Sequence, residues 1–97
     1  MSDLKTQLTE QLASIEWNLL IPHAQRDAVI VVKEQLDLLD VGVAVAEDDS
    51  TSVQNWISQK LVYKPSSQDL STWNNEPHKQ FMTLIVQPFV LVQETSA

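Results

Sequence analysis

Three consecutive acidic residues, Glu47, Asp48 and Asp49, directly follow an apolar run in the segment VAVAEDDSTSV. Clustered carboxylates can hold a divalent cation or receive a phosphoryl group, because hard cations bind oxygen ligands. They can also begin a helix, since its first turn has unpaired N–H groups that favour oxygen acceptors. We favour the helix start, because a phosphoryl-receiving aspartate needs a doubly wound sheet that so few strands cannot supply. The patterns that would cap this helix are Asp49-x-x-Ser52 and Thr51-x-x-Gln54.

A second possible site combines basic and acidic side chains that could bind a small molecule or a metal, or catalyse a reaction: His23, Arg26, Asp40 and Glu47. We expect Asp40 on the small-residue face of a strand, where a helix would cover it. A covered carboxylate needs a partner, which His23 or Arg26 could supply. A structural ion pair or an exposed Asp40 explains the same residues without a site, so this function is the alternative.

Other signatures of chemistry are missing from the sequence. The two histidines, His23 and His78, form no i, i+4 metal-binding pair. The chain has no cysteine, which excludes disulfides, thiolate zinc sites and cysteine nucleophiles. It has one glycine and no GxSxG motif, which excludes a glycine-rich phosphate loop and a nucleophile elbow. We therefore predict no catalytic residue, no metal ligand and no cofactor, and an enzyme is the less favoured class.

The charge of the chain is strongly acidic, with a net charge of −7. Residues 1–49 contain ten acidic and three basic residues, whereas residues 50–97 are balanced. Nucleic acids and anionic membranes attract clustered Lys and Arg, so neither is an expected partner. A basic protein partner is compatible with this charge. Without a signal peptide or an apolar run of about 20 residues, we expect a cytoplasmic protein.

Three main helices are predicted at about 3–16, 50–61 and 66–74, with a short one near 20–26. The first rests on the helical spacing of Leu4, Leu8, Leu12 and Ile15, with Ser2 or Asp3 as N-cap. The third begins with the capping pattern Ser66-x-x-Asp69. The tryptophans are expected on the apolar sides of helices, in the core rather than in a pocket: Trp17, Trp56 and Trp73.

Three strands are predicted at about 28–33, 38–46 and 82–93. The first is short, continuous and β-branched, and the second alternates large and small residues. Gly42 lies in the middle of the second, where close packing or a bulge explains it better than a ligand. Pro88 interrupts the third and marks an edge or a bulge.

The segments LIPHAQRDAVIVV, LDLLDVGVAVAEDD and LIVQPFVLVQ, with a tryptophan in the helix after the second, resemble a family of short bacterial proteins common in cyanobacteria. The resemblance extends from about Leu8 to Gln93. This family is a domain of unknown function without an assigned activity. The resemblance therefore implies a single cytoplasmic domain and transfers no site residue.

We predict one α+β domain over residues 1–97, with a small, mostly antiparallel three-stranded sheet and helices packed on one face. The last strand is then too apolar on both faces for an open edge. A second copy of the chain is the simplest cover, because symmetric dimers are the commonest oligomers. The predicted function is a non-enzymatic protein-interaction or self-associating domain, and the predicted interface residues are Ile85, Phe89 and Leu91.

Overall fold

The computed structural model describes residues 4–94, which form five helices and five strands. The helices are α1 (Leu4–Gln11), α2 (Trp17–Gln25), α3 (Leu38–Ala46), α4 (Ser50–Ser58) and α5 (Ser67–Asn74). The strands are β1 (Ala13–Glu16), β2 (Val29–Val32), β3 (Val62–Tyr63), β4 (Gln80–Val86) and β5 (Phe89–Glu94). No helix within this range is long and apolar enough to cross a membrane.

The five strands form one mixed sheet in the order β1-β4-β5-β2-β3. β4 and β5 form a hairpin in which Val86 lies opposite Phe89, and the turn between them is Gln87–Pro88, whose peptide bond is cis. β2 and β5 are parallel, and the other neighbours are antiparallel. The α+β class is confirmed, but the prediction of a three-stranded sheet is wrong. The single strand predicted at 82–93 is this hairpin, because Pro88 lies in its turn.

Helices cover both faces of the sheet, so the prediction of helices on one face is also wrong. On one face, α1 and α3 bury an aliphatic cluster that includes Leu8, Val41 and Leu84, with Trp56 of α4 packed against it. On the other face, α2 and α5 bury a cluster that includes Trp17 and Trp73. Successive residues of a strand point to opposite faces of the sheet, and the central strands β4 and β5 have buried apolar residues on both faces. The sheet is therefore covered by helices from two sides.

The segment predicted as the strand 38–46 is the helix α3. Asp37 caps it by accepting a hydrogen bond from the N–H of Leu39 over 2.9 Å. Its buried residues have helical spacing: Leu38, Val41, Gly42 and Ala44. The helix contacts α1, α4, β4 and β5, and a helix enclosed on several sides is apolar nearly all round. The valines of this helix alternate with small residues in the sequence, and that alternation is also typical of a strand.

The predicted first helix is too long. It ends at Gln11, and Ala13–Glu16 forms the edge strand β1 beside β4. Ile15 continues the apolar spacing of the helix but belongs to this strand. The predicted N-caps Ser2 and Asp3 lie outside the described residues.

The other predicted elements are confirmed with shifted ends. α4, α5 and β2 lie within the predicted ranges, and α5 begins with a complete capping box between Ser66 and Asp69. The short second helix begins earlier than expected, at Trp17, and continues through Pro22. The N–H groups of Trp17 and Asn18 donate to carbonyls of the loop before β4, over 2.8 and 2.9 Å, which stabilises this early start.

Candidate functional site

The acidic segment 47–49 joins two helices. Glu47 is the C-cap of α3, and Asp48 has a left-handed backbone with φ of 61°. Asp49 is the N-cap of α4, and its carboxylate accepts from the N–H and the hydroxyl of Ser52 over 3.2 and 2.8 Å. The helix-cap interpretation and the pattern Asp49-x-x-Ser52 are thus confirmed. No group of three or more His, Asp or Glu within residues 4–94 could hold a metal ion.

The four residues of the predicted polar site do not come together. His23 and Arg26 lie at the end of α2, on one face of the sheet, whereas Asp40 lies in α3 and Glu47 caps its end, on the other face. Asp40 is exposed and forms an ion pair with Lys5 of α1 over 3.5 Å. It lies on a helix rather than on a covered strand, so the expectation of a buried carboxylate is wrong. The alternative function that needed all four residues is not supported.

The predicted interface residues occupy three different environments. Leu91 is buried in the aliphatic cluster, so its assignment to a surface is wrong. Ile85 is 42% exposed and Phe89 is 38% exposed, and both lie beside the turn of the β4–β5 hairpin. Ile85 pairs with Val90 and Phe89 with Val86, so their side chains point to opposite faces. We call Ile85, Gln87, Pro88 and Phe89 the hairpin tip.

A concave surface lies on each side of the hairpin tip. On the side of Ile85 is a groove of about 350 Å³ that His23 and Arg26 also line. On the side of Phe89 is a pocket of about 190 Å³ that Asp48 and Asp49 also line. The hairpin tip therefore separates a basic groove from an acidic pocket.

A larger cleft lies at the carboxyl ends of the parallel strands β2 and β5, where open sheets commonly bind ligands. Its volume is about 560 Å³, and Lys33, Glu34, Gln35, Tyr63 and Glu94 are among its lining residues. The Nζ atom of Lys33 lies 5.9 Å from the centroid of the Tyr63 ring. An adjoining cavity of about 410 Å³ is lined by Lys33, Tyr63 and Lys60.

The environment of Tyr63 in this cleft favours the neutral phenol. Burial raises its pKa above the ordinary value of 10.0, and the negative charges of Asp69 and Glu94 raise it further. Glu94 also forms an ion pair with Lys79 over 3.3 Å. A neutral Tyr63 can donate a hydrogen bond to a ligand.

Sequence reasoning missed this cleft. Lys33 directly follows β2 and was the last residue of the strand predicted at 28–33, and that position at the strand end was the available signal. Tyr63 and Glu94 come from β3 and β5, and only the pairing of β2 with both strands brings them beside Lys33. The sequence contains no motif that specifies this pairing.

Comparison with known proteins identifies the family. A family model described as "Protein of unknown function (DUF2288)" matches residues 3–94. The chain belongs to this family. It is also similar to PA1075 from Pseudomonas aeruginosa, whose solution structure was determined by NMR. The two share 30% sequence identity and a TM-score of 0.83, over 100% of this chain and 89% of PA1075. No curated protein matches the chain.

The DUF2288 assignment confirms the resemblance to a domain of unknown function and carries no activity with it. PA1075 supports the α+β fold along the whole chain.

Proposed function

We propose that the protein is a non-enzymatic, self-associating domain that forms a homodimer through the hairpin tip. The observation that carries this proposal is the exposure of Ile85 and Phe89 at one end of the sheet, although they lie on opposite faces. The helices on the two faces leave both side chains accessible to solvent. A second copy would remove this apolar surface from water, which is favourable in proportion to the buried area.

The charges on either side of the hairpin tip favour a second copy over an unrelated partner. His23 and Arg26 lie on one side, and Asp48 and Asp49 lie on the other. In a two-fold dimer, each contact between two different residues occurs twice. An axis near Pro88 would place the basic groove of each copy beside the acidic pocket of the other, and such complementarity steers the association.

The size of the interface follows from a general requirement. A stable interface buries about 800 Å² on each partner, which is more than four residues can provide. The proposed interface therefore includes the hairpin tip, the basic groove and the acidic pocket. From the sequence, we expect a dimer because one face of the sheet would be uncovered. Helices cover both faces, so the proposed dimer buries the hairpin tip instead.

The proposal includes a bacterial cytoplasmic location and a single domain over residues 1–97. A chain without cysteine suits a reducing compartment. PA1075, which is similar over nearly its whole length, comes from a bacterium.

Sedimentation equilibrium tests the proposal directly. At about 100 μM, far above the Kd of a micromolar interface, we expect twice the chain mass of 11.0 kDa. Ile85→Asp and Phe89→Asp should each give a folded monomer. Leu19→Asp and Ile57→Asp are controls, because these apolar side chains are even more exposed but lie outside the hairpin tip, and both should remain dimeric. A parent protein that sediments as a single 11.0 kDa species would overturn the proposal.

The charge arrangement has its own test. Arg26→Gln and Asp48→Asn should each weaken the dimer, and the double variant should be little weaker than either one, because both remove the same contact. Asparagine is chosen at 48 because it tolerates the left-handed backbone there. Independent, additive effects would contradict the pairing of the two residues across a two-fold axis.

A further inference from the structure

The backbone of Lys60 has an unusual conformation for a lysine. It follows α4 with φ of 61°, in the left-handed region. The N–H of Lys60 donates to the carbonyl of Ile57, and that of Leu61 to Trp56, both over 2.9 Å. These two bonds form a Schellman motif, and glycine is the usual residue at this position because it has no Cβ.

Two other helices end in the same way but with a more suitable residue. α2 is followed by Asp27, with φ of 63°, and α3 by Asp48. Aspartate visits this region more readily than other residues with a side chain, whereas a lysine there is strained. Strained residues that persist are concentrated at functional sites. The two Schellman hydrogen bonds explain the left-handed backbone, but they do not explain why a lysine rather than a glycine or an aspartate occupies this position.

Lys60 lines the cavity that adjoins the large cleft, together with Lys33 and Tyr63. Three of the six basic residues form ion pairs with carboxylates: Lys5, Lys64 and Lys79. Lys33 and Lys60 pair with no carboxylate of residues 4–94. Two such lysines at one cavity are notable in a chain with a net charge of −7.

We propose that Lys33, Lys60 and Tyr63 bind a small organic phosphomonoester. Two ammonium groups match the double negative charge of a phosphomonoester, and the Tyr63 hydroxyl, which has no hydrogen-bond partner within residues 4–94, can donate to one of its oxygens. The cleft of about 560 Å³ is much larger than a phosphate group and leaves room for the organic part. Glu34 and Glu94 also line the cleft, and the negative charge of Asp69 acts on Tyr63. Lys79 lies 3.3 Å from the Glu94 carboxylate and offsets one of these negative charges.

This site is independent of the hairpin tip. The cleft is at the carboxyl ends of β2 and β5, whereas the hairpin tip lies at the opposite, amino end of β5. A phosphomonoester site and a dimer interface can therefore be tested separately, and the failure of one leaves the other standing.

Isothermal titration calorimetry with three probes tests the ligand class. AMP should bind, inorganic phosphate should bind more weakly because it lacks the organic part, and acetate should bind at least about tenfold more weakly than phosphate because it has one charge. The absence of heat from both AMP and phosphate at millimolar concentration would overturn the proposal. Equal affinity for acetate and phosphate would also overturn it.

Substitutions test the three residues. Lys33→Gln, Lys60→Gln and Tyr63→Phe should each weaken AMP binding by about tenfold, the usual effect of losing one charge-assisted hydrogen bond. Lys64→Gln is the matched control, because Lys64 is adjacent to Tyr63 in the chain but pairs with Asp27, and it should bind as the parent does. A parent-like affinity in the three variants would contradict the assignment.

Lys60→Gly separates a binding role from a structural one. Glycine suits the left-handed backbone, so this variant should melt at a higher temperature than the parent while it loses affinity for AMP. A more stable variant with unchanged affinity would show that Lys60 has no role in binding. A less stable variant would show that its side chain is needed for folding, and it would also contradict the proposal.

Discussion

The indole Nε1 of Trp17 donates a hydrogen bond to Asn74 Oδ1 over 2.9 Å, and this bond connects α2 to α5 on one face of the sheet. Trp17 is 1% exposed, so water cannot easily replace Asn74 as the acceptor. The Trp17 ring also lies 5.0 Å from Trp73 and 5.7 Å from Phe81, measured between centroids. The prediction that Trp17 and Trp73 are core residues is confirmed, and the bond gives the buried indole its polar partner.

Replacing Asn74 by alanine should therefore destabilise the protein. The indole N–H would be left buried without an acceptor, which costs about 1–3 kcal/mol. Asn75→Ala is the control, because the adjacent asparagine has an exposed side chain with no hydrogen bond to the indole, and its effect should stay within about 0.5 kcal/mol. Urea unfolding followed by tryptophan fluorescence measures both. Equal midpoints for the two variants would show that the Trp17–Asn74 bond contributes nothing to stability.

Gly42 gives a second prediction. A Cβ atom at this position of α3 would clash with the Leu84 side chain of β4, which is fully buried and would have to shift. Gly42→Val should cost about 1–3 kcal/mol through overpacking. Valine tests the contact better than alanine does. Alanine has a higher helix propensity than glycine, and that gain would offset about 1 kcal/mol of the overpacking cost.

Ala46→Val is the control for Gly42, because it adds a β-branched side chain to the exposed end of the same helix. The free energies of unfolding of both variants decide the matter. If Gly42→Val is as stable as Ala46→Val, close contact between α3 and the sheet is not the reason for the glycine.

Asp49 gives a third prediction. Its carboxylate accepts two hydrogen bonds from Ser52, so Asp49→Ala should lower the free energy of unfolding by about 0.5–2 kcal/mol. Asp48→Asn should change it little, since the Asp48 side chain has no hydrogen bond within residues 4–94. Calorimetric titration with magnesium, calcium and manganese supplies the second measurement. Binding of any of them that disappears in Asp49→Ala would show that the segment is a metal site as well as a cap.

The titration of Tyr63 gives a fourth prediction. The folded state favours the neutral phenol, so the unfolded chain releases this proton first as the pH rises. The stability that Tyr63 contributes is therefore complete below the ordinary pKa of 10.0 and is lost as the pH rises through the higher pKa of the folded state.

Tyr63 is the only tyrosine, so tyrosinate absorbance reports its pKa directly. The midpoint should be above 10.0 in the folded protein and near 10.0 in urea. Asp69→Asn and Glu94→Gln should lower the folded midpoint, because each removes a negative charge that opposes the phenolate. A folded midpoint at or below the urea value would contradict the environment described for the cleft.

The elements that the sequence predicts well are those with a local signal. The capping box at Ser66 and Asp69 and the cap at Asp49 are short patterns that lie on α5 and α4. The continuous β-branched run of β2 is equally local. In α4 and α5 the capping hydrogen bonds connect residues that are close in the chain, and in β2 the β-branched side chains themselves favour an extended backbone.

The elements that the sequence predicts poorly depend on distant contacts. α3 is apolar on most sides because four other elements surround it, and its alternating valines then suggest a strand. Ile15 continues a helical spacing but pairs with Phe81, far along the chain. The two candidate sites differ in the same way. Ile85 and Phe89 are close in the chain and were predicted together, whereas Lys33 and Tyr63 meet only through a strand pairing that the sequence does not reveal. The single-domain organisation stays a prediction.

The order of strands in the sheet has a consequence for synthesis on the ribosome. β4 and β5 are translated after the other three strands of the described sheet, yet within residues 4–94 β1 pairs with β4 alone, and β5 is the parallel neighbour of β2. A nascent chain that ends before Gln80 can form only the short β2–β3 pair of this sheet. Its helices would then have little of the sheet to cover, and their apolar sides would be open to chaperones. We therefore expect the sheet to form after translation of the hairpin rather than progressively during it.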